Sequence, residues 1–123
     1  MPKEEALETL TSLKAEFDAA VKDAQEDGMR WKWLRLYTDP KARAEEFAGY
    51  ARQAVAAAEL VAKDDKPAAT TQLQGMKAGF DAVSSDCRNA PQDILESFFG
   101  INAQEAYRFE RFSQACEKVM KLI

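Results

Sequence analysis

The strongest constraint on the fold is an apolar stripe between positions 69 and 90, whose members follow one another at alternating intervals of four and three residues. An α-helix makes one turn in about 3.6 residues, so this spacing puts every member on one helical face. A strand would instead alternate in steps of two. The stripe therefore predicts an amphipathic helix over residues 67–90 that buries one face. Its members are Ala69, Leu73, Met76, Phe80, Val83, Cys87 and Ala90.

Three other segments carry the same periodicity and predict helices over residues 2–27, 40–63 and 102–122. Their stripes consist of Ala6, Leu10, Leu13, Phe17, Ala20 and Ala24, then of Phe47, Tyr50, Ala54, Ala58 and Val61, and then of Ala106, Phe109, Phe112, Cys116, Val119 and Ile123. No segment alternates as a strand would. The prediction is a single domain, residues 1–123, with an all-α fold: an antiparallel up-down-up-down four-helix bundle.

Residues that start and stop helices support these boundaries. Gly28 predicts the end of the first helix, and Asp39 followed by Pro40 predicts the start of the second. Asn102, with Glu105 three residues later, is similar to a capping box and predicts the start of the fourth helix.

The chain contains no histidine and only two cysteines, Cys87 and Cys116. Histidine is the commonest general base and transition-metal ligand, and haem and di-iron sites of helical bundles depend on it. Two thiolates are too few for a structural zinc site. The many carboxylates suit the solvated outer faces of helices. The chain is therefore predicted to be no enzyme and to hold neither a cofactor nor a metal.

The two cysteines leave a disulfide open as an alternative to two buried, inert thiols. Cys87 lies close to the end of the third helix, and Cys116 lies about 14 residues into the fourth. In an antiparallel hairpin their depths would differ by about 16 Å, whereas a disulfide needs Cα atoms within about 7 Å. Buried thiols are the favoured interpretation, although residues 91–100 could change the offset.

Charge and hydropathy limit the partners. A net charge of −4 and a pI near 4.9 argue against nucleic-acid binding, which needs a basic footprint. No apolar run approaches the roughly 18 residues of a membrane-spanning helix, and residues 1–27 lack the apolar core of a signal peptide. We expect a protein that is at most peripheral to a membrane, with any targeting segment already removed.

Charge is also uneven along the chain. Residues 1–28 hold eight acidic and three basic residues, whereas residues 29–44 hold five basic residues and one acidic residue. The basic stretch coincides with an aromatic connector, residues 29–38, which follows neither period cleanly and has room for one helical turn. Aromatic residues and arginine are enriched at interface hot spots. The predicted partner-binding residues are Arg30, Trp31, Lys32, Trp33, Arg35, Tyr37, Lys41 and Arg43. Alternatively, Trp31 and Trp33 plug the open end of the bundle.

The order of these features resembles the PsbQ-type extrinsic proteins of photosystem II. The stretches that carry the resemblance are EDGMRW at 26–31, YTDP at 37–40, KDDKPAA at 63–69 and KLI at 121–123. The resemblance implies a four-helix bundle in the thylakoid lumen that docks on the photosystem II core and stabilises its oxygen-evolving side. Two features depart from the family pattern: Asp39-Pro40-Lys41 stands where Gly-Pro-Leu is usual, and the family pattern lacks the two cysteines.

Two alternatives for the function stay open. Residues 47–89 are similar to the last two helices of the cytochrome c′ and cytochrome b562 bundles. The haem-binding histidine of those proteins is missing here, so the chain would be a haem-less relative. Otherwise the bundle could carry an apolar ligand or pigment between its helices, in a cavity lined by Phe17, Phe47, Phe80, Phe109 and Phe112.

Overall fold

The computed structural model describes residues 2–31, 40–89 and 101–123. They form four α-helices, namely α1 (Pro2–Trp31), α2 (Pro40–Ala62), α3 (Lys66–Asn89) and α4 (Ile101–Leu122). No strand occurs within these ranges. The prediction of an all-α four-helix bundle is confirmed.

The end of α1 corrects the largest boundary error. The predicted stop at Gly28 is wrong, because α1 continues to Trp31. A glycine inside a helix costs about 1 kcal/mol relative to alanine, which disfavours the helix without ending it. Position 31 follows Ala24 by seven residues, so the added turn keeps the phase of the first stripe. The remaining boundaries lie within one residue of the prediction, although Asn102 lies inside α4, which begins at Ile101.

Contacts between the helices establish the up-down-up-down course. Lys3, at the start of α1, pairs with Asp64, just beyond the end of α2, at an N–O distance of 3.1 Å. Arg88, near the end of α3, pairs with Glu110 in the first half of α4. Helix α1 packs closely against α2, and α3 against α4, whereas contacts between α1 and α4 and between α2 and α3 are sparser. The bundle therefore consists of two helical hairpins packed side by side.

The core follows the predicted stripes of α1, α3 and α4 closely. In α2, Ala51 and Ala57 are buried, whereas the predicted Tyr50 and Ala58 are only partly buried. The largest fully buried side chains of the core are Phe17, Phe47, Phe80, Phe109, Phe112, Leu10, Leu73, Val119 and Cys116. Near the end of α3 the stripe drifts, because Ser84 is buried while Val83 and Cys87 are only partly buried. A strict seven-residue repeat drifts by about 20° per heptad around a straight helix, so its later members move away from the centre of the buried face.

The tight turn between α2 and α3 is closed by two consecutive aspartates. Asp64 has a φ of 60° and donates its backbone N–H to the Val61 carbonyl, while the Asp65 N–H reaches the Leu60 carbonyl. This pattern is a Schellman motif with aspartate at the position that glycine usually takes. The Asp65 side chain then accepts the Ala68 N–H at 3.3 Å and caps the start of α3.

The glycines of α3 do not serve helix packing within the bundle. Gly75 and Gly79 share a spacing that could let another helix approach closely. A Cβ atom added at either position would meet no atom within 4 Å, and both residues are exposed. A Cβ at Gly49 would lie 3.6 Å from the guanidinium of Arg52, which is a flexible neighbour on the same helix. No close approach of another helix in this chain therefore requires glycine at any of these three positions.

Candidate functional site

The predicted partner-binding segment joins α1 to α2 at one end of the bundle. The backbone of its first two residues forms the last turn of α1, and Lys41 is exposed in the first turn of α2. Arg43 is half-buried. The structure describes only the backbone of Arg30 and Trp31. Four further members lie outside the described residues: Lys32, Trp33, Arg35 and Tyr37. The segment thus stays a prediction as a binding surface.

Arg43 has a role inside the bundle that its sequence position does not suggest. Its guanidinium lies 2.6 Å from the carboxylate of Glu105 in α4 and 5.3 Å from the centroid of the Phe47 ring. Arg108 approaches the same carboxylate at 3.5 Å and lies 4.8 Å from the Phe47 centroid. This arginine cluster (Arg43, Glu105 and Arg108) ties the start of α2 to the start of the diagonally opposite α4.

Five phenylalanine rings fill the middle of the bundle. Contacting pairs of these rings have centroid separations from 4.7 Å, for Phe17 and Phe112, to 6.5 Å, for Phe17 and Phe47. Phe80 and Phe109 complete the set and contact rings of both hairpins. Edge-to-face and tilted rings at these distances are in mutual contact. The rings predicted as possible cavity walls are therefore in direct contact with one another.

Tyr50 adds a polar group to this aromatic cluster. Its ring lies 5.1 Å from Phe80 and 5.8 Å from Phe109, and its hydroxyl donates to Glu46 at 2.6 Å. Burial, reinforced by the hydrogen bond to Glu46, raises the pKa of Tyr50 far above its usual range. The phenol thus stays protonated near neutral pH and serves as a hydrogen-bond donor.

Neither Cys87 nor Cys116 is in a disulfide. Cys116 is fully buried, and burial raises its pKa to about 12, with the nearby Asp81 carboxylate adding to the rise. Asp81 precedes Cys87 by six residues, about 9 Å along α3, so the two thiols lie at different depths, although by less than the predicted offset of about 16 Å. Because a thiol reacts as the thiolate, Cys116 is unreactive at neutral pH. Cys87 is only partly buried, which corrects the prediction of two buried thiols.

A row of polar contacts lines the seam between α3 and α4. Lys77 donates to Asp81 at 2.8 Å, and this contact, together with a hydrogen bond from Ser113, lowers the pKa of the Asp81 carboxyl. One turn further along, Ser84 donates to Glu110 at 3.3 Å. These bonds satisfy the polar groups at the edge of the core and hold the second hairpin together.

Two open surface grooves run between helices. The larger, about 460 Å³, lies between α1 and α4. The smaller, about 400 Å³, lies between α1 and α2 and is mostly apolar, with Val21, Ala51 and Val55 among its lining residues. Neither groove is apparent from the apolar stripes of the sequence. The signal that could have revealed the larger one is the i, i+7 pair Arg111 and Lys118, which lies outside the apolar stripe of α4.

Across residues 2–31, 40–89 and 101–123, no group of three or more cysteine, aspartate or glutamate side chains is placed to hold a metal ion. None of the helices in these ranges is both long enough and apolar enough to cross a bilayer. Comparison of the chain with protein-family models, with curated proteins and with solved structures finds no match.

Proposed function

We propose that this chain is a non-enzymatic extrinsic subunit that docks on a membrane complex and stabilises it. The observation that carries the proposal is the concentration of basic and aromatic residues between the last turn of α1 and the first turns of α2. Residues 29–44 hold five basic residues against one acidic residue, in a chain whose net charge is −4. Such a segment suits an acidic protein surface, which it would approach by electrostatic steering and grip with its aromatic rings.

The partner that we propose is the photosystem II core on its luminal, oxygen-evolving side. The support for this partner is the resemblance to the PsbQ-type extrinsic proteins, together with a four-helix bundle of the expected order and length. The proposed location is the thylakoid lumen, peripheral to the membrane. Bound there, the protein would shield the core and hold neighbouring loops and ions in place.

The proposed docking residues have two different roles. Arg30, Lys32, Arg35 and Lys41 would supply the charge, while Trp31, Trp33 and Tyr37 would serve as apolar anchors. Arg43 pairs with Glu105 inside the bundle, so we assign it to holding the start of α2 in place beside the docking surface.

The two alternatives are less well supported. The contacts among the phenylalanine rings leave a ligand or pigment little room between the helices. For a haem-less relative of the cytochrome bundles, residues 47–89 should form the last two helices. Here they belong to α2 and α3, and α4 follows them.

A salt wash of photosynthetic membranes that carry the bound protein tests the proposal. Exposed charge pairs are screened over about 3 Å at 1 M salt, against about 8 Å at physiological ionic strength. We therefore expect the protein to leave the membrane in about 1 M sodium chloride and to stay bound in a low-salt wash. Retention through the high-salt wash would count against electrostatic docking.

A further inference from the structure

The groove between α1 and α4 has two walls of opposite charge. The α1 wall presents three carboxylates, those of Glu5, Glu8 and Glu16, and the α4 wall presents two cations, those of Arg111 and Lys118. Small or polar side chains lie between the walls, namely Thr9, Ser12 and Ala115, with Leu13 at the base. The face is therefore divided lengthwise into an acidic half and a basic half.

The charges of this groove are only loosely paired within the chain. Arg111 lies 3.8 Å from Glu16, and Lys118 lies 3.5 Å from Glu5, with all four side chains about half exposed. The ion pair between Arg43 and Glu105 is much shorter, at 2.6 Å. Glu8 has no ionic partner among the residues that the structure describes. The charged side chains of the groove are therefore accessible for ion pairs with another molecule.

We propose that this face binds the same face of a second copy of the chain, about a two-fold axis parallel to the helices. Such a rotation exchanges left and right but preserves height along the bundle. The acidic α1 wall of each copy then faces the basic α4 wall of the other. A two-fold axis across the helices would instead set acidic wall against acidic wall. Charge complementarity therefore selects both the occupant and the direction of the axis.

The register of the pairing follows from contacts within one chain. Glu16 and Arg111 lie at the same height, because they are in contact, and so do Glu5 and Lys118. A rotation that preserves height places Glu16 of one copy level with Arg111 of the other, and Glu5 level with Lys118. Both charge pairs of the groove can thus form between copies without any sliding of one bundle along the other.

Tyr107 gives this polar face an aromatic anchor. It is 64% exposed, and the Arg111 guanidinium lies 5.8 Å from its ring centroid. Positions 107, 111, 115 and 118 follow intervals of four, four and three, so Tyr107 continues the basic wall by one turn. Tyrosine and arginine are residue types that dominate interface energetics.

The groove between α1 and α2 lacks this self-complementarity. On its α1 side Lys14 and Asp18 already pair with each other at 2.6 Å, and on its α2 side Arg52 is the charged residue. The same two-fold operation there would place no wall of one sign against a wall of the other. This second groove therefore provides a control surface.

Two complementary charge-reversal variants test the proposal. The acidic-wall variant carries Glu5→Lys, Glu8→Lys and Glu16→Lys, and the basic-wall variant carries Arg111→Glu and Lys118→Glu. Sedimentation velocity at low salt should show reversible dimers of the wild-type chain. In each variant alone the dissociation constant of the dimer should rise by about tenfold or more. An equimolar mixture of the two variants should regain dimers, and about 0.5 M salt should dissolve them. Circular dichroism of each variant confirms that the helices are intact.

A third variant separates this interface from general charge attraction. Lys14→Glu with Arg52→Glu carries the same net charge as the basic-wall variant but alters the control groove. Mixed with the acidic-wall variant it should form no mixed dimers, and alone it should dimerise as the wild type does. A monomeric wild type at millimolar concentration and low salt would overturn the proposal. Two other results would also overturn it: dimers of either wall variant alone that are as stable as those of the wild type, and mixed dimers of the acidic-wall and control variants.

Discussion

At the residue scale, Asp65 closes one helix and opens the next. Its backbone N–H completes the C-terminal motif of α2, and its side chain caps α3 by accepting the Ala68 N–H. Replacing an N-cap aspartate by alanine usually costs about 1 kcal/mol. We expect Asp65→Ala to lower the free energy of unfolding by about that amount in urea denaturation, whereas Asp65→Asn should stay close to the wild type. Equal stability of all three proteins would show that the cap contributes nothing.

Cys116 predicts a pH dependence of stability at alkaline pH. The pKa of the thiol rises from an ordinary value near 9.0 to about 12 on folding. Below pH 9 both states hold the proton, so the contribution is complete. Between pH 9 and 12 the unfolded chain releases the proton while the folded chain retains it, so the free energy of unfolding falls. The slope for one such group is about 1.4 kcal/mol per pH unit.

Urea denaturation at pH 8 and pH 10.5 measures this fall. We expect the loss of stability between the two pH values to be smaller in Cys116→Ala than in the wild type, because the buried thiol no longer titrates. Cys87→Ala, measured in the same way, shows how much of the loss belongs to the partly buried thiol. A Cys116→Ala variant with the full wild-type loss would assign the pH dependence to other groups, of which Tyr50 is the first candidate.

At the scale of helices, two glycines on the outer face of α3 lower the stability of that helix. Gly75 and Gly79 are exposed, and a methyl group at either position would meet nothing. Glycine in a helix interior is about 0.8–1.0 kcal/mol less favourable than alanine. Gly79→Ala should therefore raise the free energy of unfolding by up to about 1 kcal/mol, with thermal unfolding as the measurement. Unchanged or lower stability would point to a constraint at this position that the neighbouring atoms do not reveal.

The helices themselves could be predicted from the sequence because one face of each is apolar at a regular interval. Where that interval is strict, as from Ala69 to Phe80, the predicted and the buried residues agree. The errors fall where local signals compete. Gly28 favours a helix end, but a single glycine costs too little to override a continuing helix. Near the end of α3, the burial of Ser84 reflects the drift of the buried face, which a fixed heptad does not include.

The candidate site could be predicted only in part. Composition along the chain identifies the basic and aromatic segment, since residue counts need no structure. The pairing of Arg43 with Glu105 joins two helices that lie diagonally across the bundle. No local pattern in the sequence reports which residues of distant segments come level with one another. The same holds for the opposed walls of the α1–α4 groove, which depend on the vertical register of helices at the two ends of the chain.

At the scale of the whole molecule, the aromatic cluster joins the two hairpins. Phe80 of α3 contacts Phe17 of α1 and Tyr50 of α2, so its ring bridges the hairpins. Replacing a buried phenylalanine by alanine typically costs about 3–5 kcal/mol. We expect Phe80→Ala to destabilise the bundle by this amount in urea denaturation. Tyr107→Ala, which alters an exposed ring of α4, is the control. At protein concentrations too low for dimers it should change stability by less than about 0.5 kcal/mol. Similar losses for both variants would contradict a central role for the cluster.

The proposed docking is also a property of the whole molecule, because it depends on an uneven distribution of charge along the chain. A capture experiment from a photosynthetic membrane extract tests it most directly, with the wild type compared with a variant carrying Arg30→Glu, Lys32→Glu and Arg35→Glu. The matched control carries Lys63→Glu, Lys66→Glu and Lys121→Glu, an equal charge change at the opposite end of the bundle.

We expect the wild type and the control variant to retain photosystem II core subunits and the docking variant to lose them. Retention by all three proteins would place the contact elsewhere on the bundle, and the absence of photosystem subunits from the wild-type capture would contradict the proposed partner.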